Sequence, residues 1–165
     1  MAGEAWSRVR RLAAVESPIA LTVKQAAGRE GVRLAEQLEA MALVYQIEQD
    51  ESFGRRALAV FSGVAGAIDP DEFHRAVDGD FFATEHWPKA FARAWDWLQP
   101  LMTEEMRTRL LAALEHWNAA LFRHTESWWW REAGYNCGAI PVGAQGILLC
   151  SIRGESQNPD LPRWF

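Results

Sequence analysis

Apolar residues recur along most of this chain at steps of three and four, the spacing of one face of an α-helix. Between Gly31 and Glu48 the stripe is Leu34, Leu38, Met41 and Tyr45, with Arg33, Glu36, Gln37 and Glu39 on other faces. Asp50 interrupts the pattern and is placed to cap a second helix, whose stripe is Leu58, Phe61, Val64 and Ile68. So short a link predicts an antiparallel hairpin. Asp69-Pro70-Asp71 and Asp78-Gly79-Asp80 mark turns, with a short helical piece between them. A third helix is predicted from about Pro88, in its first turn, to Leu98, with Phe91, Ala94, Trp95 and Leu98 facing inward. Pro100 ends it. Thr103 then caps the longest helix, where Met106, Leu110, Ala113, Trp117 and Leu121 repeat. Glu104 and Glu105 sit at the positive end of its dipole, and His124 to Ser127 closes it. From Gly138 to Ile152 the chain is apolar, and Gly138, Gly143 and Gly146 predict a helix closely approached by its neighbours. Pro159 and Pro162 make Gly154 to Phe165 an irregular tail.

Neither strand alternation nor an Asn-Gly hairpin signal interrupts this pattern. The predicted class is all-α, antiparallel helical hairpins in an array, either a solenoid or a toroid. Residues 1–30 read as a helical lead-in, 31–152 as the hairpin domain and 153–165 as a tail.

Composition narrows function mainly by exclusion. A chain of 165 residues, 49% hydrophobic and 24% charged, is long enough to bury a core without staples. Its net charge of −5 argues against nucleic acid, and no apolar run approaches the roughly 20 residues of a membrane span. Met1 to Arg8 leads into charges, not into the apolar segment of a secretory signal. Cys137 and Cys150 are the only cysteines, spaced for neither a redox pair nor a zinc site, and read as two small buried thiols in or near one helix. Phosphate-loop, dinucleotide, zincin and hydrolase-elbow motifs are missing. His74, His86, His116 and His124 form no pair at i,i+4 and read as surface or helix-end residues. No metal and no cofactor is expected. The acidic pairs read as helix caps and solvated surface.

Tryptophan is the anomaly: nine stand beside two tyrosines, and Trp128, Trp129 and Trp130 are consecutive. Indole serves buried cores, interfaces and sugar-stacking surfaces alike. The run continues through Arg131 to Tyr135, Asn136 and Gly138, where a helix begins. A helix start offers free N–H groups and partial positive charge to carboxylates or sulfates, and Asn136 adds a side-chain donor. That composition suits an acidic sugar. Asn136 serves equally as a plain helix cap.

Three segments together resemble the N-terminal half of the α/α-toroid polysaccharide lyases of the heparinase II/III type. The first is Leu34-Ala-Glu-Gln-Leu-Glu-Ala-Met-Ala-Leu-Val-Tyr45 with Asp50 and Arg56-Ala57. The second is Ala94-Trp-Asp-Trp-Leu98 through Leu101-Met-Thr-Glu-Glu-Met106, and the third is Trp128 to Ile152. The resemblance implies part of an (α/α) toroid and β-elimination on an acidic polysaccharide containing uronic acid. It puts Tyr135-Asn136 on the family's His-Asn or Asn-Asn pair, with Asn136 neutralising the substrate carboxylate and Tyr135 beside it. Trp128, Trp129, Trp130 and Arg131 become substrate-binding residues. Cys137, Gly138 and Val142 depart from the family's Trp, polar residue and Asn. The family's further base and acid lie beyond Phe165, so the chain is expected to be incomplete and inactive alone. Self-association or a partner chain would then complete the toroid. Family members are generally periplasmic or secreted. The alternative from the residues alone is a non-catalytic helical interaction module with a Trp-lined surface.

Overall fold

A computed structural model describes residues 2–18, 20–77, 82–127 and 136–161. Among them the chain is all helical: α1 (Ala2–Ala14), α2 (Val23–Ala26), α3 (Arg29–Glu48), α4 (Glu51–Ala67), α5 (Pro70–Ala76), α6 (Phe82–Leu98), α7 (Glu104–Ser127) and α8 (Asn136–Ile152), with a 3-10 turn at Gln99–Leu101.

The expected stripes are the buried ones. Leu34, Leu38, Met41 and Tyr45 of α3 meet Leu58, Phe61 and Val64 of α4 in the core. Gln49 joins these helices in the left-handed conformation (φ 58°), and Asp50 Oδ1 accepts from the Ser52 N–H at 2.9 Å. Gly54 lets them close: a Cβ there would stand 2.9 Å from the Tyr45 ring and collide with Leu101 Cδ1. Asp69 caps α5, accepting from the N–H groups of Asp71 and Glu72. Thr103 Oγ1 caps α7, accepting from Met106 N at 3.2 Å.

Four expectations need correction. First, α6 starts at Phe82, so Pro88 lies inside the helix and not in its first turn. The added turn carries Ala83 and Thr84 into the core ahead of Trp87, and their burial outweighs one missing backbone hydrogen bond. Second, Gln37 is buried: α1 lies over that side of α3, and Gln37 Nε2 donates to the carbonyls of Leu12 (3.2 Å) and Val15 (2.7 Å). Third, a Cβ at Gly143 or Gly146 would meet nothing within 4 Å, so neither glycine mediates a close helix approach. Fourth, Cys150 is exposed. Both cysteines do belong to α8, where the helical rise separates them by about 19 Å, too far for a bridge. The turn expected at Asp78-Gly79-Asp80 lies outside the described residues.

The helices form two layers. In one, α6 packs between α3 and α8; in the other, α4 packs beside α7; α1 flanks α3. Side-chain bonds give the directions. Trp87 of α6 reaches the Ala26 carbonyl just before α3, and Arg93 pairs with Glu39, so α3 and α6 run parallel. Gln99, past the end of α6, donates to Glu155, past the end of α8, at 2.9 Å, so these two also run parallel. Trp117 reaches Ala65 and Arg123 reaches Asp71, which aligns α4 with α7. Hairpins therefore repeat along the chain, and once the short α5 is set aside the helices from α3 to α8 alternate between the two layers. Residues 1–30 join the same core through Ala13, Ala26 and Ala27.

Of the five tryptophans among the described residues, Trp87, Trp95 and Trp117 are fully buried, while Trp6 and Trp97 pack half-buried against the core. Two of them also act as caps at a distance. The last carbonyls of a helix lack intrahelical donors. Trp87 Nε1 donates to Ala26 of α2 at 3.0 Å, and Trp117 Nε1 to Ala65 in the last turn of α4 at 3.2 Å.

Candidate functional site

Trp128, Trp129, Trp130, Arg131 and Tyr135 lie outside the described residues. Asn136 opens α8, and its side chain is not described either. The scaffold around that first turn is described. Asp96 of α6 shares a groove with Gly143, Gly146, Ile147 and Cys150 of the parallel α8. At roughly 1.5 Å per residue, His86 stands about 15 Å before Asp96, level with the start of α8. The ring of Trp117 in α7 lies 5.1 Å from Phe91 of α6. Because α7 runs back against α6, His124 comes about 10 Å beyond that contact, level with the first turn of α6. His74 of α5 stacks on His124. Three of the chain's four histidines thus gather at the end of the bundle where α8 begins, and two groups of ionisable side chains lie there or run toward it.

The first group follows the seam of α3 and α6. Glu85 and Lys89 pair one turn apart on α6, and Arg93 pairs across the seam with Glu39. Burial holds the Glu39 carboxyl above the ordinary range against the opposing pull of Arg93, and His86 and Lys89 also act on it. Further along, burial and then Glu155 raise Asp96. The Glu39–Arg93 pair adds no net stabilisation, since desolvation of the buried carboxyl outweighs its attraction to the guanidinium. Glu39→Gln will therefore change stability at pH 7 by less than about 1 kcal/mol in urea denaturation.

The second group joins α5 to α7. The His74 and His124 rings stack with centroids 4.8 Å apart and planes at 15°. Phe73 and Trp117 contact at 4.9 Å beside them. Asp71 accepts both bonds of the Arg123 guanidinium, at 3.0 and 2.8 Å, and His116 Nε2 is 4.0 Å from the same carboxylate. His74 is only 6% exposed, and neither ring nitrogen has a hydrogen-bond partner. Burial first, and then His124, push its pKa down to about 3; burial also lowers His124. Lone pairs of stacked imidazoles lie in parallel planes and do not converge on one ion. The described residues accordingly hold no metal-ready group of three His, Cys, Asp or Glu.

His74 is therefore buried and not on the surface, although it does lie in the last turn of α5; exposed His116 and half-buried His124, in the last turn of α7, keep their reading. A signal was available: Pro70, Phe73 and His74 form an i, i+3, i+4 face, and all three are buried.

Two hollows lie on the surface of the described residues. The groove between α6 and α8 encloses about 610 Å³ over Asp96, Gly143, Gly146, Ile147, Cys150 and Ser151. A second of about 580 Å³ lies between α1 and α3, with Leu12, Val15, Leu21 and Leu34 in its wall. No described helix is long and apolar enough to cross a membrane.

The described residues define an all-α protein of layered helical hairpins. Comparisons with protein-family models, curated proteins and solved structures find no match for this chain.

Proposed function

We propose that this chain is part of a heparinase II/III-like polysaccharide lyase, with an (α/α)-toroid arrangement, that acts on uronic-acid-containing polysaccharide. In β-elimination a base takes the proton at C5, the C–H electrons form the C4–C5 double bond, and the C4–O bond breaks as its oxygen takes a proton. The C5 proton is weakly acidic until the adjacent carboxylate is neutralised, so donors aimed at that group lower the barrier. Asn136, with the free N–H groups of the first turn of α8, supplies such donors in this reading. Tyr135 stands beside it as a proton-transfer group, while Trp128, Trp129, Trp130 and Arg131 hold the sugar chain. This part of the enzyme binds substrate without turning it over alone.

One observation carries the reading. Hairpins alternate between two layers, so the Trp95-Asp96-Trp97 helix and the glycine-rich helix opening at Asn136 lie side by side and parallel. The described parts of the three segments thereby belong to one repeating architecture. A second reading, a non-catalytic interaction module, draws on the exposed, charge-free face of α8 at Gly143, Ile147 and Cys150.

Binding separates the two. The purified chain is titrated with heparan sulfate, chondroitin sulfate and alginate at 20 and 200 mM salt, and absorbance at 232 nm follows unsaturated uronate. The lyase reading expects salt-sensitive binding to at least one polymer, without turnover, weakened tenfold or more by Asn136→Ala. No binding to any of them at low salt, with Asn136→Ala changing stability only, would leave the interaction module standing.

A further inference from the structure

Asn118 of α7 is fully buried, and neither its Nδ2 nor its Oδ1 has a hydrogen-bond partner among the described residues. Gln145 of α8 is buried as well, and its Nε2 is likewise unpartnered among them. Independently of the lyase reading, we infer that these two amides form a buried binding site for one water molecule, which joins α7 to α8.

Placement comes first. Arg107 and Glu115 of α7 bond to Glu155 and Ser156, just past the end of α8. They mark the face of α7 that lies on α8, and Asn118 stands on that face about three turns along from Arg107. On α8, Ile147 and Ser151 line the groove beside Asp96 and so mark the flank toward α6. Gln145 and Leu149 occupy the other flank of the buried stripe formed by Ala144, Leu148 and Ile152, toward α7. The two helices are antiparallel. Asn118 stands nine residues before Ser127, and Gln145 nine after Asn136. From the other end, Asn118 is eleven residues beyond Arg107 and Gln145 ten before Glu155. Both measures put the amides at one height, to within about 1.5 Å. The connection between the helices begins about 14 Å away along either axis.

The chemistry of the groups selects the ligand. A buried amide left unpaired loses its hydration without return, at a greater cost than one hydrogen bond is worth. Asn118 Nδ2 and Gln145 Nε2 donate, and Asn118 Oδ1 accepts. A metal ion needs several oxygens and would meet one among these groups. An anion would face that same oxygen as well as the donors. Water, with two protons and two lone pairs, matches all three groups, the usual number of partners for a buried water. Sliding α8 by one residue turns Gln145 through about 100° and breaks the bridge. The water therefore fixes the register of α8 on α7, and with it the height at which Asn136 stands.

Water-selected NOESY and ROESY spectra of the 15N-labelled full chain test this. The side-chain NH2 groups of Asn118 and Gln145 should both show water cross-peaks, opposite in sign to the diagonal in ROESY, which separates a held water from proton exchange. Gln145→Leu should remove the Asn118 cross-peak or weaken it several-fold. A cross-peak missing at either amide of the native protein, or an Asn118 peak unchanged in the variant, overturns the shared site. If Gln145→Leu does not fold, a crystal structure of the native chain at about 2 Å decides. One solvent peak within about 3.2 Å of both amides supports the site. Amides bonded directly to protein atoms or to separate waters, or no peak between them, refute it.

Discussion

Trp117→Ala should lower the unfolding free energy by about 3–5 kcal/mol, at the upper end for a buried aromatic. The indole is 2% exposed and packs against Phe73 and Phe91 at 4.9 and 5.1 Å, so one truncation opens the junction of α5, α6 and α7. It also removes the indole donor to the Ala65 carbonyl, at 3.2 Å, taking a cap from the end of α4. Trp117→Phe separates the two contributions: most apolar area remains, the N–H is lost, and the expected cost is about 1–2 kcal/mol. Urea denaturation followed by far-UV circular dichroism reads both. Equal midpoints for the two variants would show that the indole N–H, lost in both, accounts for the whole effect, whereas a Trp117→Phe protein as stable as the parent would show that packing does.

Gly31→Ala should destabilise by about 3 kcal/mol, against helix propensity, which favours alanine over a mid-helix glycine by about 1 kcal/mol. A Cβ on Gly31 would collide with the Ala26 carbonyl, coming 2.5 Å from its carbon and 2.8 Å from the Ala26 Cα. These are backbone atoms, so no side chain can rotate aside. Moving α2 away is also unfavourable, because the same carbonyl accepts the hydrogen bond of buried Trp87 at 3.0 Å. Gly54→Ala meets the flexible tip of Leu101 and the Tyr45 ring instead, and should cost less, about 1–2 kcal/mol. Thermal and urea unfolding of both variants check the order; a Gly31→Ala protein as stable as the parent would mean that α2 does not pack as described.

The candidate site was only partly legible. Asn136 could be placed at a helix start from the residues that follow it, and α8 does open there. The inter-helix contacts near it, the half-buried pair Glu39–Arg93 and the stacked His74–His124, were not visible. Each inter-helix pair joins residues about fifty positions apart, and no local pattern marks which charged residue will find its counterpart across a helix seam. His74 is the sharper case: its apolar-face spacing was readable, but an imidazole at that spacing became a buried, unpartnered ring only when α7 covered it.

What the sequence determined by itself is the helical class, the stripes that face the core, and the stops at Asp50, Asp69 and Thr103. Those depend on side-chain periodicity and capping within a few residues, where the relevant atoms are neighbours in the chain. Only the tertiary structure decided that Gln37 would be buried, that Pro88 would sit inside a helix, that Gly31 and Gly54 rather than Gly143 and Gly146 mark close approach, and that α3, α6 and α8 run parallel in one layer. The physical reason is the same in each instance. A polar group or a missing side chain is favourable or not according to what is packed against it, and that partner comes from a distant part of the chain: the carbonyls of Leu12 and Val15 for Gln37, the core around Trp87 for Pro88, the backbone of α2 for Gly31.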